Sequence, residues 1–108
     1  YVKNKGLRII YPSKKSQCCK VHPAIYDPIF GVKAKSNPVT VAARRIFHEV
    51  IDELIEQGAE CIVLACTEIP IAINAKEIKG RPVVDPTLIL ARALINNIAP
   101  EKLKPFEQ

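Results

Sequence analysis

A chain of 108 residues has room for one small domain and not for two. With 48% hydrophobic and 25% charged residues it lies outside the class of polar, highly charged chains that stay disordered, and it should fold around a core. The net charge of +5 is local: residues 1–35 carry eight Lys/Arg against one acid, and residues 36–108 eight against ten. Only six Phe and Tyr accompany it and no RNA- or DNA-binding signature interleaves them, so the basic third reads as a solvated lysine face with no nucleic-acid partner.

Tyr1 to Lys5 read as the tail of a preceding element. Gly6 then opens Leu7-Arg8-Ile9-Ile10-Tyr11, rich in β-branched and aromatic residues and stopped by Pro12, which predicts a short strand. Between Ser13 and Ser36, Pro23 and Pro28 forbid one regular helix, since an interior proline costs about 3 kcal/mol. A broken helix or a loop is expected there, with Cys18 and Cys19 as loop thiols. From Asn37-Pro38 onward the pattern turns helical, with Ala43, Ile46, Phe47, Val50, Ile51, Leu54 and Ile55 recurring at three- and four-residue steps. Asn37 is the expected N-cap, Pro38 the first helical residue and Gly58 the stop, with Arg45 and Glu49 four apart on the wet face.

Cys61-Ile62-Val63-Leu64-Ala65 is a continuous apolar run, the pattern of a strand buried on both faces of a parallel sheet, with Cys61 as inert packing. Thr67 to Ile73 would begin a helical turn with Pro70 near its start. Pro82-Val83-Val84 reads as another strand, and Asp85-Pro86 as cap and first-turn proline of a helix through Leu88, Leu94, Ile95 and Ile98. The expected architecture is a single α/β domain over 1–108, a parallel sheet flanked by helices with right-handed crossovers.

The apolar run Cys61 to Ile73 is broken by Thr67, Glu68 and Pro70 and is shorter than the roughly 20 residues of a membrane span. The start has no secretory pattern, so no membrane partner and a cytoplasmic location are expected. The cysteines at 18, 19, 61 and 66 do not form the dense framework of a small secreted scaffold, and reduced thiols are expected. Cys19-x-x-His22 lacks the second ligand pair of a zinc site, so no metal is expected.

In a parallel α/β sheet, ligands bind outside the carboxyl ends of the strands, which selects Pro12-Ser13, Cys66-Thr67-Glu68 and Asp85. Of these, Cys66-Thr67-Glu68 has side chains suited to chemistry. A thiol at Cys66, where a buried strand ends and helical N–H groups begin, would have its pKa lowered and become a base or nucleophile; otherwise it is a small buried hydrophobe. Thr67 offers a hydroxyl and N–H to a carboxylate, or caps the turn. Glu68 could accept a substrate ammonium or orient the thiol, or serve as a first-turn acid.

The stretch Gly58-Ala59-Glu60-Cys61-Ile62-Val63-Leu64-Ala65-Cys66-Thr67-Glu68-Ile69-Pro70 resembles the C-terminal signature of the aspartate/glutamate racemase family. Gly6 to Pro12, Val21-His22, Ile25-Tyr26-Asp27, the long helix and Val83-Val84-Asp85 follow in family order. Glutamate racemases carry histidine after Cys-Thr, so Glu68 points to the aspartate-racemase branch, which includes broader-specificity amino-acid racemases. The resemblance implies cofactor-independent inversion at an α-carbon by two cysteines on opposite sides of the substrate. In that scheme Cys66 is the second catalytic cysteine, and Thr67 and Glu68 bind substrate. Lys33 matches the lysine that holds a substrate carboxylate, with Lys35 as runner-up. Ala65 replaces the usual glycine before the cysteine, and Pro23 and Pro28 interrupt a segment that relatives run as helix.

Relatives pair two similar α/β domains around the active site. This chain matches the second of them, without the Cys-Asn-Thr type of motif that carries the first thiol and without that domain's own first, central strand. With no methionine at position 1 or elsewhere, the expectation is a piece of a longer polypeptide. A partner chain that supplies strand and thiol, or a refolded and catalytically inactive fragment, are the other outcomes. The expected partners are an amino-acid substrate and a second copy in a homodimer. A non-catalytic racemase-like module is the alternative from another class. Within enzymes, hydantoin racemases, maleate isomerases and arylmalonate decarboxylases also place a cysteine here.

Overall fold

A long amphipathic helix, α3 (Val41–Glu56), organises the chain. The computed structural model describes residues 6–106, so the expectation for Tyr1 to Lys5 lies outside the described residues. Ala43, Phe47, Val50 and Ile51 are buried and Ile46, Leu54 and Ile55 pack against the same core, the face that the helical spacing marks. The helix starts later than the sequence suggests. Thr40, not Asn37, is the cap: its Oγ1 accepts from Ala43 N at 3.1 Å while its hydroxyl donates to Phe30 O at 2.6 Å. Asn37-Pro38 instead forms the turn closed by a bridge between Ser36 and Val39. At the other end Gly58 N donates to Ile55 O and Ala59 N to Leu54 O, the paired bonds of a glycine stop.

The proline-bearing segment is a broken helix over residues 14–26 followed by turns over 27–36. α1 (Lys14–Ser16) runs through a widened π turn (Gln17–Val21) into α2 (His22–Tyr26). Across that turn His22 N bonds back to Gln17 O, so the register slips one residue just before Pro23, whose missing N–H and bulky ring a regular helix would not tolerate. Cys18 and Cys19 therefore sit on a helical turn, not in a loop. Asp27 is extended ahead of Pro28 and ends α2. Ser16 and Lys20 both bond the Glu53 carboxylate and fix this segment to α3.

The sheet is small and mixed. β1 (Ile62–Val63) pairs in parallel with β3 (Arg81–Val84), Ile62 opposite Val83, and β2 (Glu77–Ile78) pairs antiparallel with β3 on its other side. The β2–β3 hairpin turns on Lys79-Gly80, both at positive φ, a connection that a Lys-Gly pair does not advertise. An entirely parallel sheet is thus corrected to a mixed one. Leu7 to Tyr11 forms no strand: a favourable composition makes a strand only where a ladder partner exists, and Leu7 and Tyr11 are exposed. β1 is buried on one face only, since Ile62 and Leu64 point into the core while Val63 is 56% exposed. Cys61 precedes the strand and is exposed, so it is not core packing.

After β1 the chain winds into α4 (Ile69–Ala72) with Pro70 in its first turn, and after β3 into α5 (Pro86–Ile98). Asp85 Oδ1 caps α5 by accepting from Thr87 N and Leu88 N, as its Asp-Pro start predicts. α5 buries none of its residues. Among the described residues no helix is long and apolar enough to cross a membrane.

The position of the cap is testable by denaturation. Thr40→Ala, which removes a cap and the bond to Phe30, should cost about 1 kcal/mol or more, while Asn37→Ala should cost a few tenths at most.

Candidate active site

Leu64 N donates to Val84 O at 2.9 Å, after which Ala65 N turns back to Val63 O at 3.1 Å and the chain leaves the sheet at Cys66. Ile69 N bonds to Cys66 O and Ile71 N to Glu68 O, winding the exit into α4. This tight turn leaves Cys66 half-buried against the core edge, Thr67 exposed and Glu68 half-buried.

Lys33 reaches the same place from the segment after α2. Beyond α2, Asp27 Oδ1 accepts from Ile29 N and Phe30 N, and Gly31 N bonds to Asp27 O at 3.0 Å. Val32 N and Lys33 N then dock onto Ala24 O and Ile25 O at 2.9 and 3.0 Å, with the Val32 side chain fully buried. This folded-back path needs glycine at 31, because a Cβ there would lie 2.6 to 2.8 Å from Asp27 N, Asp27 O and Ile25 O.

Glu68 joins the two segments. Its Oε1 accepts from Lys33 Nζ at 2.9 Å, and its Oε2 accepts from Cys66 Sγ at 3.0 Å and from the Thr67 hydroxyl at 2.9 Å. Lys33 first, then Cys66 and Thr67, hold the Glu68 carboxyl well below the usual carboxylate range, at about 2. The same hydrogen bond and charge raise the Lys33 ammonium above its ordinary value. Cys66, Thr67, Glu68 and Lys33 are therefore one hydrogen-bonded group, whereas Lys35 forms no ion pair among the described residues. The surroundings of the thiol differ from expectation in one respect: it meets a carboxylate rather than a row of helical N–H groups, because α4 is only four residues long and Glu68 folds back over the turn.

Two neighbours extend the group. Lys33 Nζ lies 5.5 Å from the centre of the Tyr26 ring, which in turn sits 4.7 Å from the His22 ring. Nothing in the sequence alone assigns either a site role, although their i, i+4 spacing places them on one face once the segment is helical. His22 also lines an open groove of about 490 Å³ with Tyr11, Pro12, Lys14, Gln17 and Cys18. Among the described residues no cluster of His, Cys, Asp or Glu is arranged to hold a metal ion.

Two outcomes follow from this geometry. Gly31→Ala should cost about 1–3 kcal/mol in thermal or urea unfolding and shift the Lys33 resonances, since backbone must move to admit the methyl group. In carboxyl-resolved NMR, Glu68 should titrate near 2, and Lys33→Gln should move its midpoint up toward the ordinary 4.5. Because the folded-state value is the lower one, the stabilisation is fully present above the unfolded value of 4.5 and is lost as pH falls through about 2.

No solved structure gives a significant match to this chain. The family model described as Asp/Glu/Hydantoin racemase matches residues 6–94, from the segment before α1 into the body of α5, and spans every residue of the Cys66, Thr67, Glu68 and Lys33 group. A strand exit bearing Cys-Thr-Glu, tied to a lysine remote in sequence, accordingly belongs to a member of the Asp/Glu/Hydantoin racemase family.

Proposed function

We propose that this chain carries one of the two acid–base thiols of a cofactor-independent amino-acid racemase of the aspartate-racemase branch. Aspartate or glutamate is the first choice of substrate, and a broader amino-acid range the next. The observation that carries the reading is the convergence of Cys66, Thr67, Glu68 and Lys33 at the end of β1.

Inversion at an α-carbon needs a base on one face and an acid on the other, each exchanging roles for the opposite enantiomer. Cys66 supplies one of these groups. The second comes from a segment of a longer polypeptide that includes this chain, or from a partner chain of different sequence. Without an electron sink, the charge that develops next to the substrate carboxylate has to be met by fixed donors in a site closed to water. Thr67 and Lys33 are the donors here.

An amino acid brings both a carboxylate and an ammonium, and the Lys33–Glu68 pair offers a complement to each. Entry of the zwitterion exchanges one ion pair for two: substrate carboxylate on Lys33, substrate ammonium on Glu68. Both the α-carboxylate and the α-ammonium of the substrate are matched by that exchange. The family's breadth makes hydantoins the second substrate class to assay, but a neutral ring would leave both charged side chains without new partners.

In the complete enzyme in heavy water, the α-proton of aspartate, glutamate or another amino acid should exchange with solvent. Cys66→Ser should lower that exchange by about 10²-fold or more, the usual contribution of a positioned acid–base group. Absence of exchange with every proteinogenic amino acid would overturn the reading.

A further inference from the structure

We propose that Glu68 is a specificity gate: its carboxylate occupies the donors that a ligand carboxylate needs, so that a small acid bearing an ammonium is admitted and its des-amino counterpart is turned away. That a ligand enters this group at all rests on the racemase reading above. The occupation of the donors by Glu68 itself follows from the contacts.

Three side chains converge on this one carboxylate. Oε1 accepts from Lys33 Nζ at 2.9 Å, and Oε2 accepts from the Thr67 hydroxyl at 2.9 Å and from Cys66 Sγ at 3.0 Å. Lys33 and Thr67 are the donors suited to a ligand carboxylate, and both are already taken by an internal one. Glu68 stays ionised at neutral pH, so it competes for them as an anion. It also cannot withdraw far, because Ile69 N on Cys66 O and Ile71 N on Glu68 O fix its backbone in the turn. The pair is nevertheless open to exchange: the Lys33 side chain is 47% exposed and that of Glu68 21%.

Two ligands of one carbon skeleton separate the cases. Succinate offers carboxylates alone. Seating one of them on Lys33 takes the cation from Glu68 and leaves two carboxylates facing a single ammonium, a like-charge arrangement. Aspartate brings the same two carboxylates and an ammonium as well, so Glu68 exchanges one cation for another. The selectivity therefore comes from a group that opposes the wrong ligand as much as it attracts the right one. Since the contacts are partly open to water, the discrimination is several-fold, far below that of a sealed polar pocket.

The test is equilibrium binding of succinate and of aspartate to the complete enzyme, measured by isothermal titration calorimetry on the wild type and on Glu68→Gln, which keeps the shape and removes the charge. Glu68→Gln should bind succinate about fivefold more tightly and aspartate about fivefold more weakly. Lys33→Gln should weaken both, since each ligand places a carboxylate there. Succinate bound no more tightly by Glu68→Gln than by the wild type overturns the proposal, because Glu68 is then no competitor. Aspartate that holds or gains affinity in Glu68→Gln also overturns it, since general loss of negative charge favours both ligands alike. So does a wild type that binds aspartate no better than succinate. Binding is read without turnover, so an enzyme that exchanges no α-proton can still show the opposite shifts, and failure of the racemase reading and failure of the gate are separate results.

Discussion

One carboxylate with three donors ties the candidate site together. Glu68 takes a thiol and a hydroxyl from its own turn and an ammonium from a segment far away in sequence, so the turn after β1 and the loop after α2 are fastened at their chemically useful ends. Charge-assisted bonds of this kind are short and directional, and they fix where Lys33 points. A carboxylate shared in this way is also easily re-partnered. Its donors are exposed or half-buried, open to exchange with charged groups from outside the chain.

The two segments meet because both are indexed to α3. Ser16 and Lys20 on Glu53 hold the α1–α2 segment against one part of the helix, and Thr40 holds Phe30 against its start. Arg44 Nε donates to Ala72 O at 3.2 Å and fixes the end of α4. Lys33 and Cys66 thus inherit their relative placement from a rigid element that neither belongs to. Gly31 completes the arrangement by letting the backbone fold closely onto the end of α2, which carries Val32 into the core and aims Lys33 outward.

Much of this was legible in the residues. The apolar spacing of α3 marked its core face, Gly58 its end and Asp85-Pro86 the start of α5, because caps and periodicity are local properties. Cys66-Thr67-Glu68 is legible as a strand exit with polar and sulfur side chains, and only the family pattern favours Lys33 over Lys35 in the sequence. Other features depended on neighbours the sequence does not name. Leu7 to Tyr11 has strand composition without a ladder partner, Val63 is apolar but uncovered, and Asn37-Pro38 lost the cap position to Thr40, which also reaches Phe30. The π turn before Pro23 shows the same effect in reverse: a proline that argues against a helix is absorbed by a one-residue slip in register.

The sequence by itself determined where helices could begin and end, which face of α3 would be buried and which three consecutive residues could do chemistry, since each follows from spacing, capping or side-chain type within a short window. Only the tertiary structure decided that the sheet is mixed, that Lys33 rather than Lys35 meets Glu68, and that the Cys66 thiol faces a carboxylate instead of backbone N–H groups. Those outcomes are set by distances between residues remote in the chain, and such distances exist only once the core has closed around α3.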